Sequence, residues 1–279
     1  MSNIVDKYLE EVRENRPIEY NGLKLYPLTV RDYGLYTRGK PAYELLLSSL
    51  PPQMARHAWC ACLWEMDKAM AAQGQAPFYF PAAMLVLARA LHIQPRGEGK
   101  EARYPLCPIF TEKTQALKHL EIQLPDSCIP ALLNMQELSR IRELIAAQNC
   151  YTIPDENWNP ELLRAQEYLS AQKCASGVKP DLEAAVYAVA VGTGRRAAEI
   201  WDWPIREFIK AKEAIGRKYD YQIYTGAEMA GFIKFRHGNP HPSWLYDREA
   251  ELPGGFMSVS ELDAGHKGLL GDTTQQSKE

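Results

Sequence analysis

The chain has 279 residues, 46% of them hydrophobic, and a formal net charge of −3. That length allows one large domain or two small ones, and the balanced charge excludes a strongly basic nucleic-acid coat or a polybasic membrane-surface protein. No apolar run reaches the roughly 18 residues a membrane helix needs; the longest candidate, residues 78–91, is interrupted by Pro81 and Arg89.

The amino terminus has no basic region followed by an apolar stretch, so no signal peptide is expected and the chain is placed in the cytoplasm. In that setting Cys60, Cys62, Cys107, Cys128, Cys150 and Cys174 are read as reduced thiols, commonly buried.

Residues 4–14 predict a short charged helix. Ile18-Glu19-Tyr20 and Leu23-Lys24-Leu25, joined by Asn21-Gly22, predict a hairpin, because both turn positions need positive φ. Thr29 caps a helix expected to reach Thr37, and Pro41 opens another through Leu47. From Gln53 to Ala72 the positions Met54, Ala58, Trp59, Cys62, Leu63, Met66 and Met70 recur at three and four, the spacing of one helix face. Residues 81–91 predict a helix apolar nearly all round, hence buried.

Residues 94–108 hold three prolines, two glycines and five charged residues, which reads as a linker. Leu120, Ile122 and Leu124 alternate like a short strand. Asn134 and Glu137 make a capping box for a helix to Gln148. Asn159-Pro160 opens a helix to Lys173, and Pro180-Asp181 opens one through Val191. Gly192-Thr193-Gly194 turns the chain, with Thr193 expected to cap a short helix from Arg195 to Trp201. Asp202 caps a longer helix with Ile205, Phe208, Ile209, Lys212, Ile215 and Tyr219 along one side. Phe232–Phe235 is read as a strand and Asn239–Pro242 as a rigid turn.

The expected fold class is mainly α, a helical two-region protein with minor short β-hairpins. Its expected divisions are an N-terminal hairpin and helical region over 1–93, a linker over 94–108, a mainly helical region over 109–251 and a flexible tail over 252–279.

No catalytic, cofactor-binding or metal-ligating set emerges. Gly192–Arg196 lacks the Gly-Lys-Ser/Thr of a Walker loop and the third glycine of a dinucleotide fingerprint. His237 and His241 are four apart, but glycine and proline between them oppose the helix on which that spacing ligates metal. His57 and Cys60 can share a helix face, whereas Cys62 is rotated away. Neither a nucleophile elbow nor a His-Glu-x-x-His motif occurs. A non-enzymatic protein without cofactor is therefore expected. Trp59, Trp64, Trp201, Trp203 and Trp244 are the candidate partner-binding residues, since Trp beside turns anchors protein interfaces.

Two segments carry a resemblance. One is Tyr20-Asn21-Gly22-Leu23-Lys24-Leu25-Tyr26-Pro27-Leu28-Thr29-Val30-Arg31-Asp32-Tyr33, followed by Leu45–Pro51 and the Trp-rich helix. The other joins Gly194-Arg195-Arg196-Ala197-Ala198-Glu199-Ile200 to Pro204–Phe208, Gly231–Phe235 and Trp244–Asp247. Together they resemble tail-assembly proteins of bacteriophages and prophages of Gram-positive gut bacteria, over about half the chain. The resemblance implies a tail-assembly chaperone in the cytoplasm of the bacterial host. Its expected partner is the tape-measure protein or the tail-tube protein, with self-association possible and no membrane contact. A structural tail subunit would need the same apolar surfaces. The alternative class is a DNA-binding helix-turn-helix regulator over 181–218, with Arg195 and Arg196 opening its second helix; Glu199 and Asp202 oppose its approach to phosphate, so nucleic acid is not the expected partner.

Overall fold

The structure is a computed structural model that describes residues 4–34, 58–97, 104–112, 116–124, 129–151, 153, 181–235 and 239–245. The helices expected over 41–47 and 159–173, and the tail over 252–279, lie outside the described residues. The chain forms two compact units, Met1–Glu213 and Ala214–Glu279.

In the first unit two short helices, α1 (Ile4–Lys7) and α2 (Leu9–Arg13), replace the single helix expected over 4–14. The hairpin of β1 (Ile18–Tyr20) and β2 (Leu23–Leu25) follows, antiparallel, with Asn21 at φ 49° and Gly22 at φ 75°. These are the left-handed conformations that an Asn-Gly turn supplies at little steric cost. The alternation buries Ile18, Tyr20, Leu23 and Leu25 on one face. Thr29 then caps α3 (Val30–Gly34) reciprocally. Its hydroxyl accepts from the Asp32 N–H at 3.2 Å while the Asp32 carboxylate accepts from the Thr29 N–H at 3.1 Å.

The Trp-rich pattern forms α4 (Trp59–Ala72), and the apolar stretch forms α5 (Tyr79–Ala90), eight of whose residues are buried, as its all-round apolarity requires. Asp67 of α4 is buried and accepts from the backbone N–H groups of Phe78, Tyr79 and Phe80 at 2.8–2.9 Å. Those donors at the start of α5 have no partner within their own helix, so a side chain from the preceding helix caps them.

The expectation of a mainly α fold is corrected here. Helix takes 54% of the described residues and strand 14%, in two small antiparallel sheets, so the class is mixed α/β. The second sheet has order β3-β4-β5, from β3 (Leu106–Phe110), β4 (Leu117–Ile122) and β5 (Ala131–Asn134). Three local features hid it. β3 carries Pro108 and begins in the expected linker. β4 opposes Ile109 to His119 but Phe110 to Leu117, so Lys118 is an extra residue and the alternation of Leu120 and Ile122 breaks before Leu117. β5 has one buried residue, Leu133, and runs straight into the next helix.

That helix, α6 (Met135–Gln148), opens with the expected capping box. The Asn134 side chain accepts from the Glu137 N–H at 2.9 Å and the Glu137 carboxylate from the Asn134 N–H at 2.8 Å. Next come α7 (Leu182–Thr193), capped by Asp181, then α8 (Ala197–Ile200) and α9 (Ile205–Met229), which begins in the first unit and ends in the second. Thr193 does not cap α8. It is the last residue of α7, with its hydroxyl donating back to the Val189 carbonyl at 2.7 Å, and Gly194 at φ 69° ends the helix. Phe232–Phe235 is not a strand, because Gly231 at φ 73° folds the Phe232 N–H back onto the Ala227 carbonyl at 3.0 Å.

One hydrophobic core fills the first unit, built from the hairpin, α4, α5, β4 and the buried side of α6, with Ile205 at its edge. Among the described residues no helix is long and apolar enough to cross a membrane.

The Asp67 cap can be tested directly. Asp67→Ala leaves three amide donors without an acceptor and is expected to lower stability by roughly 2–4 kcal/mol. A urea titration checks this, and a loss under about half a kcal/mol would show the cap to be dispensable.

Candidate functional site

The two segments that carry the resemblance meet in space. The Val30 N–H donates to the Trp203 carbonyl at 3.0 Å, the Arg31 N–H to the Trp201 carbonyl at 2.8 Å, and the Ile205 N–H to the Leu28 carbonyl at 2.8 Å. Thr29 and Pro204 form an antiparallel bridge, and Arg31 Nε lies 2.8 Å from Asp202 Oδ1. Asp202 thus holds α3's first turn as well as preceding α9. Both side chains of this ion pair are substantially exposed, so its energetic weight is small. Trp201 and Trp203 are half-buried, and their backbones complete this seam.

Trp59 is buried in the core, and Trp64 is half-buried against it. Trp59 is 5% exposed, under the Arg142 guanidinium, whose carbon lies 4.9 Å from the ring centroid. With Leu138, Ile141 and Ile145 it borders a cavity of about 10 Å³, room for at most one water molecule. Trp64 packs edge-on to Phe80 at 5.3 Å and against Phe110 at 4.7 Å, joining α4 to α5 and β3. Trp244 alone among the five candidates is exposed, at 46%.

Trp244 belongs to the second unit, whose geometry differs from that of the first. No described residue from Ala214 to Leu245 is buried. Tyr219, Ile223, Met229, Phe232, Ile233, Trp244 and Leu245 are large, apolar and exposed, from 45% at Ile233 to 86% at Phe232. Ile215, Tyr219 and Ile223, spaced at four, share one side of α9. On another side Tyr224 packs against Phe235 at 5.8 Å and His241 at 4.9 Å. Asn239 fastens the turn to the helix: its amide donates to Glu228 Oε2 at 3.2 Å and Thr225 Oγ1 at 3.4 Å, and its carbonyl accepts from the His241 N–H at 2.9 Å. The described residues of this unit form a helix and a strapped turn that present apolar side chains to solvent, and none of them is buried.

The chemistry-bearing candidates are placed as follows. His57, His237, Cys128 and Cys174 lie outside the described residues. Cys60 and Cys62 are buried in α4, and burial, with Cys62 nearby, pushes the Cys60 thiol up to about 12. A thiol held protonated in this way is a poor nucleophile. Among the described residues no three His, Cys, Asp or Glu side chains cluster as a metal site. After Gly194, α8 is a single turn of four residues, Arg196 is its capping residue, and Arg195 lies 3.9 Å from Glu199. One turn is too short to lie along a major groove as recognition helices do. Ile223 and Met229 carried no sequence signal beyond the amphipathic spacing of α9, and Phe232, Ile233 and Leu245 lie in segments read from the sequence as a strand or as part of the resemblance, not as exposed apolar surface.

No protein-family model, no curated protein and no solved structure matches this chain.

Two outcomes follow from these placements. At pH 8 a thiol reagent is expected to label the exposed Cys107 in the native protein and to spare Cys60. Counting labelled thiols, Cys107→Ser lowers the number by one and Cys60→Ser leaves it unchanged; the reverse pattern would show that α4 is open. In acrylamide quenching, Trp244→Phe is expected to remove an accessible emitter, whereas Trp59→Phe leaves the quenchable fraction unreduced.

Proposed function

We propose that the chain is a non-enzymatic assembly factor of bacteriophage tail morphogenesis, a chaperone that covers apolar helical stretches of the tape-measure protein while the tail tube polymerises. The observation that carries the binding part of this reading is the second unit. Seven large apolar side chains stand exposed there and none of its described residues is buried. Contiguous exposed apolar surface on a protein marks an interaction site. An amphipathic helix with Ile215, Tyr219 and Ile223 on one side is the kind of element that pairs with another apolar helix. Lys218, Asp220, Gln222 and Glu228 on the remaining sides keep such a helix hydrated before the partner arrives. The phage setting is supported by the resemblance of residues 20–33 and 194–208, which the fold brings into one hydrogen-bonded seam.

The test is co-expression of the tagged chain with the tape-measure protein encoded beside it, followed by size-exclusion chromatography and affinity measurement. A complex is expected to co-elute. Ile223→Lys and Phe232→Ser are expected to weaken it at least about tenfold, roughly the effect of losing one buried apolar anchor, with the helical circular dichroism unchanged. Absence of a complex overturns the tail-assembly reading. A complex indifferent to both substitutions moves the site off the second unit.

A further inference from the structure

The helix α7, in the first unit, is apolar on two opposite sides. Its sequence from Leu182 to Thr193 contains one charged residue, Glu183. One side packs inward through Val186, Val189 and Ala190. At about 100° per residue, Asp181, Ala184, Ala188 and Gly192 fall in line on the other side, with Tyr187 and Val191 beside them. All six are exposed, Tyr187 at 56% and Val191 at 79%. An all-apolar helix belongs in an interior, and here half of its circumference faces outward.

We infer that this outer face of α7 is the contact between two copies of the chain, packed antiparallel about a twofold axis at Ala188. The argument is charge. Asp181 and Glu183 stand at the amino end of α7, and Arg195 and Arg196 immediately follow its carboxyl end. An antiparallel pairing centred on Ala188 sets Ala184 against Gly192 of the second copy and Ala188 against its own counterpart, and it brings the acidic amino end, Asp181 and Glu183, toward the end where Arg195, 3.9 Å from Glu199 of its own chain, and Arg196 follow the helix. A parallel pairing would set acid against acid and base against base. The face is therefore self-complementary, which is the condition an isologous contact must meet. The two helix dipoles also oppose each other favourably in that arrangement. Alanine and glycine along the line allow close approach, and Tyr187 and Val191 supply the apolar area along the edges. The inference does not depend on the tail-assembly reading, and it uses none of the exposed residues of the second unit.

Sedimentation velocity and light scattering of the full chain at tens of micromolar are expected to give twice the 31.6 kDa monomer mass. Val191→Glu is expected to return the monomer mass with an unchanged melting temperature, since that side chain touches little of its own fold. Arg195→Asp is expected to weaken dimerisation about tenfold. Under mild oxidation Ala188→Cys is expected to form a covalent dimer faster than Glu183→Cys, which lies off the axis. A parent chain monomeric at every concentration overturns the inference and leaves the face to a different protein. A dimer that survives Val191→Glu, or that cross-links equally at both cysteine positions, overturns it as well.

Discussion

The first unit depends on one short stretch, from Leu25 at the end of β2 to Arg31 in the first turn of α3, whose backbone groups are used by elements far away in sequence. The Tyr26 N–H donates to the Ala90 carbonyl at the end of α5. The Leu25 carbonyl accepts from the Gln148 side chain at 3.2 Å, and the Leu28 N–H donates to the Asn149 side chain at 3.2 Å, both at the end of α6. From Leu28 onward the partners are Ile205, Trp203 and Trp201. Buried backbone groups must be paired. A stretch with no strand neighbour along most of its length satisfies that requirement only by drawing two helix ends and the α8–α9 turn around itself.

Gln148 and Asn149 show how the arrangement is specified. Both are polar and buried, at 1% and 0% exposure, which is costly unless each is hydrogen-bonded. Gln148 also donates to the Arg16 carbonyl at 3.3 Å, and Asn149 to the Ile145 carbonyl at 2.6 Å. Together they bind the entry and exit of the hairpin to the carboxyl end of α6, while the apolar faces of the same elements contribute the bulk of the burial. Asp67 does the equivalent for α4 and α5. Hydrophobic burial is non-directional; these three side chains are what make one packing of the helices preferable to another.

The functional reading follows from where that system ends. The first unit builds a shared core from most of its elements and leaves Leu9, Ile129, Leu132, Tyr187 and Val191 exposed. In the second unit none of the described apolar residues is buried. Cys60, buried in α4, is held protonated by its burial.

Local chemistry was legible in the sequence wherever a few adjacent residues decide the conformation. The Asn21-Gly22 turn, the Thr29 and Asn134 caps, the burial of α5 and the amphipathic run from Ile205 all follow from φ preferences, capping hydrogen bonds or helical spacing within one turn or two. Strands β3 and β5 were not legible. A strand is stabilised by its neighbour, and β3 contains a proline while β4 has a bulge at Lys118 that breaks the alternation. Nor did tryptophan content separate anchors from core. Trp59 and Trp64 pack against α5, β3 and α6, contacts that sequence position does not encode, whereas Trp244 stays exposed. Length, charge balance, turns and caps belong to the sequence by itself, because they are set by short-range interactions. The mixed α/β class, the seam around Leu25–Arg31 and the apolar faces left bare were decided only by tertiary structure, because each depends on which distant residues arrive to pair or to cover.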